Sequence, residues 1–200
     1  MRTKLCLIIL GLTVFFSCKK DAIKNTTKTK GNISTTDSVT LKADTAFVLN
    51  YNTSYNAWLA YKQTINNSYT YTIVTAYAES AINLTEIKTT VKNGKVIARD
   101  FTAYAYMADA LQNAAKKVIM NQWHEEGVTL NTHPDVGEVM TLDDIYVKAK
   151  NSWLNADPVK NDIYFETRNS GLISEAGYYP KGCQDNCFIG IQQISSITSL

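Results

Sequence analysis

The sequence predicts an α+β domain: a mainly antiparallel sheet, a meander with an Asn93-Gly94 hairpin, and helices packed on one face. Three observations carry this expectation. Tyr69 to Tyr77 alternates as a β-strand does, with Tyr69, Tyr71 and Ile73 on one side and Thr70, Thr72 and Val74 on the other. Val91-Lys92-Asn93-Gly94-Lys95-Val96 sets Asn-Gly between two extended runs. The segments on either side of this β-rich stretch carry apolar residues at helical spacing.

Taken in order, the ordered domain is expected over residues 46–200. Asn52 or Thr53 suits a helix N-cap, and Tyr55, Trp58, Leu59, Lys62 and Ile65 form a stripe that Asn66-Asn67-Ser68 ends. After the first strand, Asn-Gly calls for a type I′ turn, because both central residues need positive φ. In that register Val91 faces Val96 and Thr89 faces Ala98, with strands from about Asn83 to Lys92 and from Lys95 to Tyr106. Met107, Leu111, Ala114, Ala115, Val118, Ile119 and Gln122 or Trp123 mark a second helical face, with Gly127 as C-cap. Val128 to Met140 contains His133-Pro134-Asp135 and Gly137 and reads as loop. Thr141-Leu142-Asp143-Asp144 resembles a capping box with Asp in place of Glu. Leu142, Ile145, Tyr146, Ala149 and Trp153 supply the stripe of the helix it opens, which Asp157-Pro158 ends. Ile163 to Arg168 reads as a strand, Asn169-Ser170-Gly171 as a turn, and Leu172 to Tyr179 as a strand pairing back. Phe188 to Ile197 reads as a last strand of imperfect alternation. The element order hints at two similar halves.

The first twenty residues carry an address. Arg2 and Lys4 precede the apolar run Leu5 to Phe16, which ends at Ser17-Cys18 before Lys19-Lys20. A basic start, a short apolar core and a small residue before the cut describe a secretory signal peptide over residues 1–17. The run is too short for a spanning helix, which needs roughly 20 apolar residues. Cys18 after the small residue resembles the lipobox of bacterial lipoproteins, with Phe15 where Leu is usual; the resemblance implies that Cys18 is lipidated and becomes the first mature residue. Residues 18–45 are rich in Lys, Thr, Asn, Ser and Asp and read as a flexible tether. Within and beside it, Asp37-Ser38-Val39 and Asp44-Thr45-Ala46 resemble acceptor tripeptides of O-glycosylation in Bacteroidota, implying Ser38 and Thr45 as sites. The whole chain has 20 basic and 18 acidic residues; removing the signal takes Arg2 and Lys4 but no acid, which leaves the rest neutral. That balance gives no electrostatic footprint for nucleic acid.

The chemistry on offer is sparse. No nucleophile elbow, P-loop, dinucleotide fingerprint or His-Glu-x-x-His is present, and no cofactor is expected. Val118 to Val147 concentrates both histidines with six acids and no Lys or Arg. His124, Glu125, His133 and Asp135 are therefore weak metal-ligand candidates. The competing expectation is a solvated acidic surface, with Asp143 and Asp144 as first-turn helix acids. Cys183 and Cys187 suit a local disulfide in an oxidising compartment; the short loop makes it worth roughly 2 kcal/mol. A metal role for the pair would need further ligands. Tyr69, Tyr71, Tyr77, Tyr104 and Tyr106 form either a stacking surface for a partner or a mixture of core and rim.

Several short motifs follow in order: Trp58 in a first helix, Ser68-Tyr69-Thr70-Tyr71, the Asn93-Gly94 hairpin, Leu142-Asp143-Asp144-Ile145-Tyr146, Ile163-Tyr164-Phe165 and Gly177-Tyr178-Tyr179-Pro180. Over about Asn50 to Ile197 this order resembles an uncharacterised family of bacterial secreted lipoproteins with a domain of unknown function. The chain departs from it by the stretch Ala108 to Met140 and by an extra Tyr before Pro180. The resemblance transfers no catalytic residue. The expectation is a lipid-anchored envelope lipoprotein, in the outer membrane facing the periplasm or at the cell surface. It would be a non-enzymatic module binding a protein or glycan. One alternative is an envelope hydrolase or metal-dependent enzyme using residues 124–144. Another is an inhibitor of secreted enzymes acting through the Cys183–Cys187 loop.

Overall fold

The structure is a computed structural model that describes residues 45–77, 82, 84–109, 114–184 and 187–200. The proposed signal, Cys18, Ser38 and most of the tether lie outside the described residues. The elements are α1 (Thr45–Thr64), β1 (Tyr69–Ala76), β2 (Leu84–Lys92), β3 (Lys95–Asp109), β4 (Ala114–Glu126), α2 (Leu142–Asn151), β5 (Asn161–Arg168), β6 (Leu172–Pro180), β7 (Ile189–Ile191) and β8 (Ile194–Ser199). They form a mixed α+β fold with two antiparallel sheets, ordered β4-β3-β2-β1-β8 and β5-β6-β7. No helix among the described residues is long and apolar enough to cross a membrane.

α1 starts at Thr45, ahead of the expected cap at Asn52 or Thr53. Tyr51, Ser54 and Trp58 are its buried face, with Phe47, Val48, Tyr55, Tyr61 and Ile65 packed partly against the core. The anchoring stripe thus begins a turn earlier than the sequence suggests. Thr45 opens this helix, so a glycan there would sit on the first residue of α1. Asn66 and Asn67, both at φ 49°, end the helix; the Asn67 amide reaches back to the Lys62 carbonyl at 2.7 Å. Asn tolerates this left-handed conformation better than other residues bearing a Cβ.

β1, β2 and β3 form the expected meander. Asn93 (φ 50°) and Gly94 (φ 73°) make the turn. Val91 opposes Val96, but Thr90 rather than Thr89 opposes Ala98, because a bulge beside the turn leaves Ile97 out of the ladder. The turn docks on the end of α1: Gly94 N donates to Asn67 O at 2.8 Å, and Asn93 N to Ser68 Oγ at 3.0 Å.

The helix expected over Met107 to Trp123 is not formed; β3 continues to Asp109 and β4 pairs back along it from Ala114. Leu111 lies outside the described residues. The physical cause is a second bulge. Asn121 opposes Ala103 and Ile119 opposes Tyr104, so Met120 is extra and the alternation changes phase there. Adjacent apolar residues then imitate a helical period, while Ala and Lys carry helix propensity that strand pairing overrides. Gly127 accordingly begins a 3-10 turn rather than capping a helix.

α2 carries the expected capping box: Thr141 Oγ1 accepts from Asp144 N, and the Asp144 side chain accepts from Thr141 N. A separate 3-10 turn, Trp153–Asn155, follows the helix. The last apolar run is two strands rather than one. β7 joins β6, and β8 joins β1, with Gln193 at φ 54° between them. That switch of sheet accounts for the imperfect alternation.

One core joins these parts: Tyr51, Trp58, Tyr69, Tyr71, Leu142, Ile145, Tyr146, Leu154, Ile173 and Ile194 belong to a single buried cluster. Its polar atoms are paired, as burial demands. The Tyr146 hydroxyl meets Ser54 Oγ at 2.7 Å and accepts from Ile173 N at 3.0 Å. Tyr69 Oη accepts from Leu142 N at 2.8 Å, satisfying a free amide at the start of α2. Trp58 Nε1 donates to Asp143 at 2.9 Å.

Candidate functional site

The inner face of β3 and β4 carries a buried ion pair. Arg99 and Glu125 are direct cross-strand partners, 2% and 0% exposed. Arg99 Nε and Nη2 donate to Glu125 Oε2 at 3.1 and 2.9 Å, and its other donors reach the carbonyls of Gly137 (2.8 Å) and His133 (2.9 Å). Glu125 also accepts from the Asn131 amide, Thr132 Oγ1 and the His133 amide. The His133 ring lies 2.7 Å away through Nδ1 and stacks on Trp123 at 4.1 Å, nearly parallel. Trp123 stacks in turn on Phe101 and receives the Arg99 guanidinium at 5.3 Å. Burial pushes the Glu125 carboxyl up, but hydrogen bonds from His133, Asn131 and Arg99 outweigh it and hold the pKa at about 2. The arrangement clamps the loop after β4 onto the sheet; its carboxylate is fully engaged.

The outer face has a different chemistry. Asp100 meets His124 Nδ1 at 2.7 Å, and His124 Nε2 stands 3.5 Å from Glu126. The hydrogen bond to Asp100, then that to Glu126, raises the His124 pKa. Asp100, Thr102, Gln122 and His124 contribute to a shallow cleft of about 330 Å³. Further along, Lys117 donates to Glu86 at 2.9 Å and lies 3.6 Å above the Tyr104 ring, and the bond to Glu86 raises its pKa.

Among the described residues β4 is an edge strand, hydrogen-bonded to β3 alone. Among the described residues β2 pairs with β3 from Lys92–Lys95 to Leu84–Tyr104, and β4 pairs with β3 as far as Asp109–Ala114. Ile119 (54% exposed) and Met120 (46%) lie at the bulge of β4, with Tyr106 and Met107 exposed nearby on β3.

The sequence-selected residues are thus separated. Of the metal-ligand candidates, Glu125 and His133 meet, but alternation puts His124 on the opposite face with Asp100, and Asp135 lies exposed in a 3-10 turn. Among the described residues no three His, Cys, Asp or Glu side chains gather to hold a metal ion. The proposed tyrosine surface also divides: Tyr69 and Tyr71 are core, while Tyr104 and Tyr106 alternate onto the outer face. Cys183 and Cys187 are paired, with Cα atoms 6.4 Å apart. Arg99 was not among the selected residues; its signal was a lone cation at an inward position of a strand. No family model, curated protein or solved structure matches the chain.

Proposed function

We propose that the protein is an envelope lipoprotein, anchored through lipidated Cys18 and facing the periplasm, whose domain binds another protein through the β4 edge. The edge position carries the reading: Ile119 and Met120 are exposed on a long strand that pairs with β3 alone among the described residues. An extended partner segment adding to β4 would gain backbone hydrogen bonds, and these two side chains would give it apolar contacts. Lys116 and Lys117 on the same strand discourage indiscriminate edge pairing, as lysines on edge strands do. The large aromatics Trp58, Tyr69 and Tyr146 are occupied in the core, which is compatible with an anchor supplied by lipid on Cys18. Lipidation and partner binding separate experimentally. Cys18→Ala is expected to move the protein from the membrane to the soluble fraction. A photo-crosslinker at Ile119 should capture a discrete partner in native envelopes, and Met120→Asp should abolish that capture. Capture unaffected by Met120→Asp would exclude the β4 edge, and retention of the Cys18→Ala protein would exclude the anchor.

A further inference from the structure

β4 is written in two halves of opposite charge. Lys116 and Lys117 stand before Met120 with no acid beside them, and Glu125 and Glu126 end the strand with no Lys or Arg. Met120 also divides the faces. Before it, the outer side chains are Lys117 and Ile119, opposite Tyr106 and Tyr104 of β3. After it they are Gln122, His124 and Glu126, opposite Thr102, Asp100 and Ala98. On the inner face Lys116 and Val118 precede the bulge, and Asn121, Trp123 and Glu125 follow it. Among the described residues no strand lies on the far side of β4.

We propose, resting on the β4 edge as the binding surface, that its partner is a second copy of this chain, the two β4 strands pairing antiparallel about a two-fold axis between Met120 and Asn121. A two-fold contact must be complementary to itself, and this strand is. In that register Lys117 of one copy lies opposite His124 of the other and diagonal to its Glu126, all on the outer face. Long side chains reach a diagonal neighbour. Glu126 is 74% exposed and Asp100 holds His124 from the other side, so the lysine arrives at an acidic patch. On the inner face Val118 meets Trp123, a β-branched side chain against an aromatic ring, and symmetry makes each contact twice. The change of phase at Met120 is met by the same change in the second copy, so outer side chains face outer ones along both halves. A slip of one residue would set inner side chains against outer ones. A long slip would bring the lysines of both copies together, or their acids, and parallel pairing would align like charges along the whole strand.

The test is sedimentation of the full chain in detergent. A strand-to-strand contact is a small interface, so a monomer–dimer equilibrium with a dissociation constant of roughly 10–100 μM is expected. Lys117→Glu and Glu126→Lys should each weaken it about tenfold by setting like charges against each other. An equal mixture of the two variants should recover the parent's affinity to within about threefold, because each copy then supplies the charge the other lacks. A folding defect in either variant would persist in the mixture, so recovery reports the contact itself. A chain that stays monomeric over this range, a dimer indifferent to both variants, or a mixture that recovers nothing would overturn the proposal. In native envelopes the photo-crosslinker at Ile119 should give an adduct of two copies, joined near Gln122 of the second. A Met120-dependent adduct with a different protein would overturn self-pairing while leaving the β4 edge as the binding surface; no Met120-dependent adduct would overturn both.

Discussion

Arg99 and Glu125 illustrate how one residue pair can fix a whole loop. Removing one partner of a buried ion pair strands the other charge, so Arg99→Ala is expected to cost about 3–5 kcal/mol in urea unfolding. A loss under about 1 kcal/mol would mean that the loop amides alone hold the carboxylate. The same site gives the molecule an acid sensitivity. The Glu125 pKa is lowered from 4.5 to about 2, so its folded-state advantage is complete above about 4.5 and fades as pH falls toward about 2. The urea midpoint should decline across that window, and Glu125→Gln should flatten the decline. An equal slope in both proteins would assign acid lability to other carboxylates. His124 behaves independently, because it is bound to Asp100 on the opposite face.

At the scale of elements, the Asn93-Gly94 hairpin and the end of α1 are one unit. A Cβ on Gly94 would stand 2.5 Å from Asn67 Nδ2, on a backbone at φ 73°. Gly94→Ala therefore combines backbone strain with a steric clash and should cost about 1–2 kcal/mol, read as a lower melting temperature. An unchanged melting temperature would show that the Asn67 side chain moves aside freely. This hairpin was legible in the sequence because a type I′ turn is specified by two adjacent residues. The β3–β4 pair was not. Met120 shifts the alternation by one, and a period-2 pattern with a phase change resembles a helical one over a short window. The capping box of α2 was legible for the same local reason as the hairpin: Thr141 and Asp144 exchange hydrogen bonds within one turn.

For the whole molecule, the decisive feature is that both sheets share one core. Tyr146 bonds to Ser54 of α1 and to the backbone of Ile173 in β6, while Leu142 beside it bonds to Tyr69 of β1. Trp58 and Trp153 lie in the same cluster. Unfolding should therefore be a single transition, with tryptophan fluorescence and far-ultraviolet circular dichroism giving the same urea midpoint. Separate midpoints would mean that the two sheets unfold independently. The hint of two halves is met only in part: each half is a helix followed by four strands, but β8 crosses to complete the first sheet.

The sequence by itself determined the fold class, the meander, the α2 start and the Cys183–Cys187 pairing, each of them specified by residues close together in the chain. Only the tertiary structure decided that β4 is a strand, that β7 and β8 belong to different sheets, and which charges meet. Arg99 and Glu125, or Glu166 and Glu175, become neighbours through strand register, and a single-residue bulge decides which face each occupies. Register is a property of paired strands, and a lone strand does not contain it.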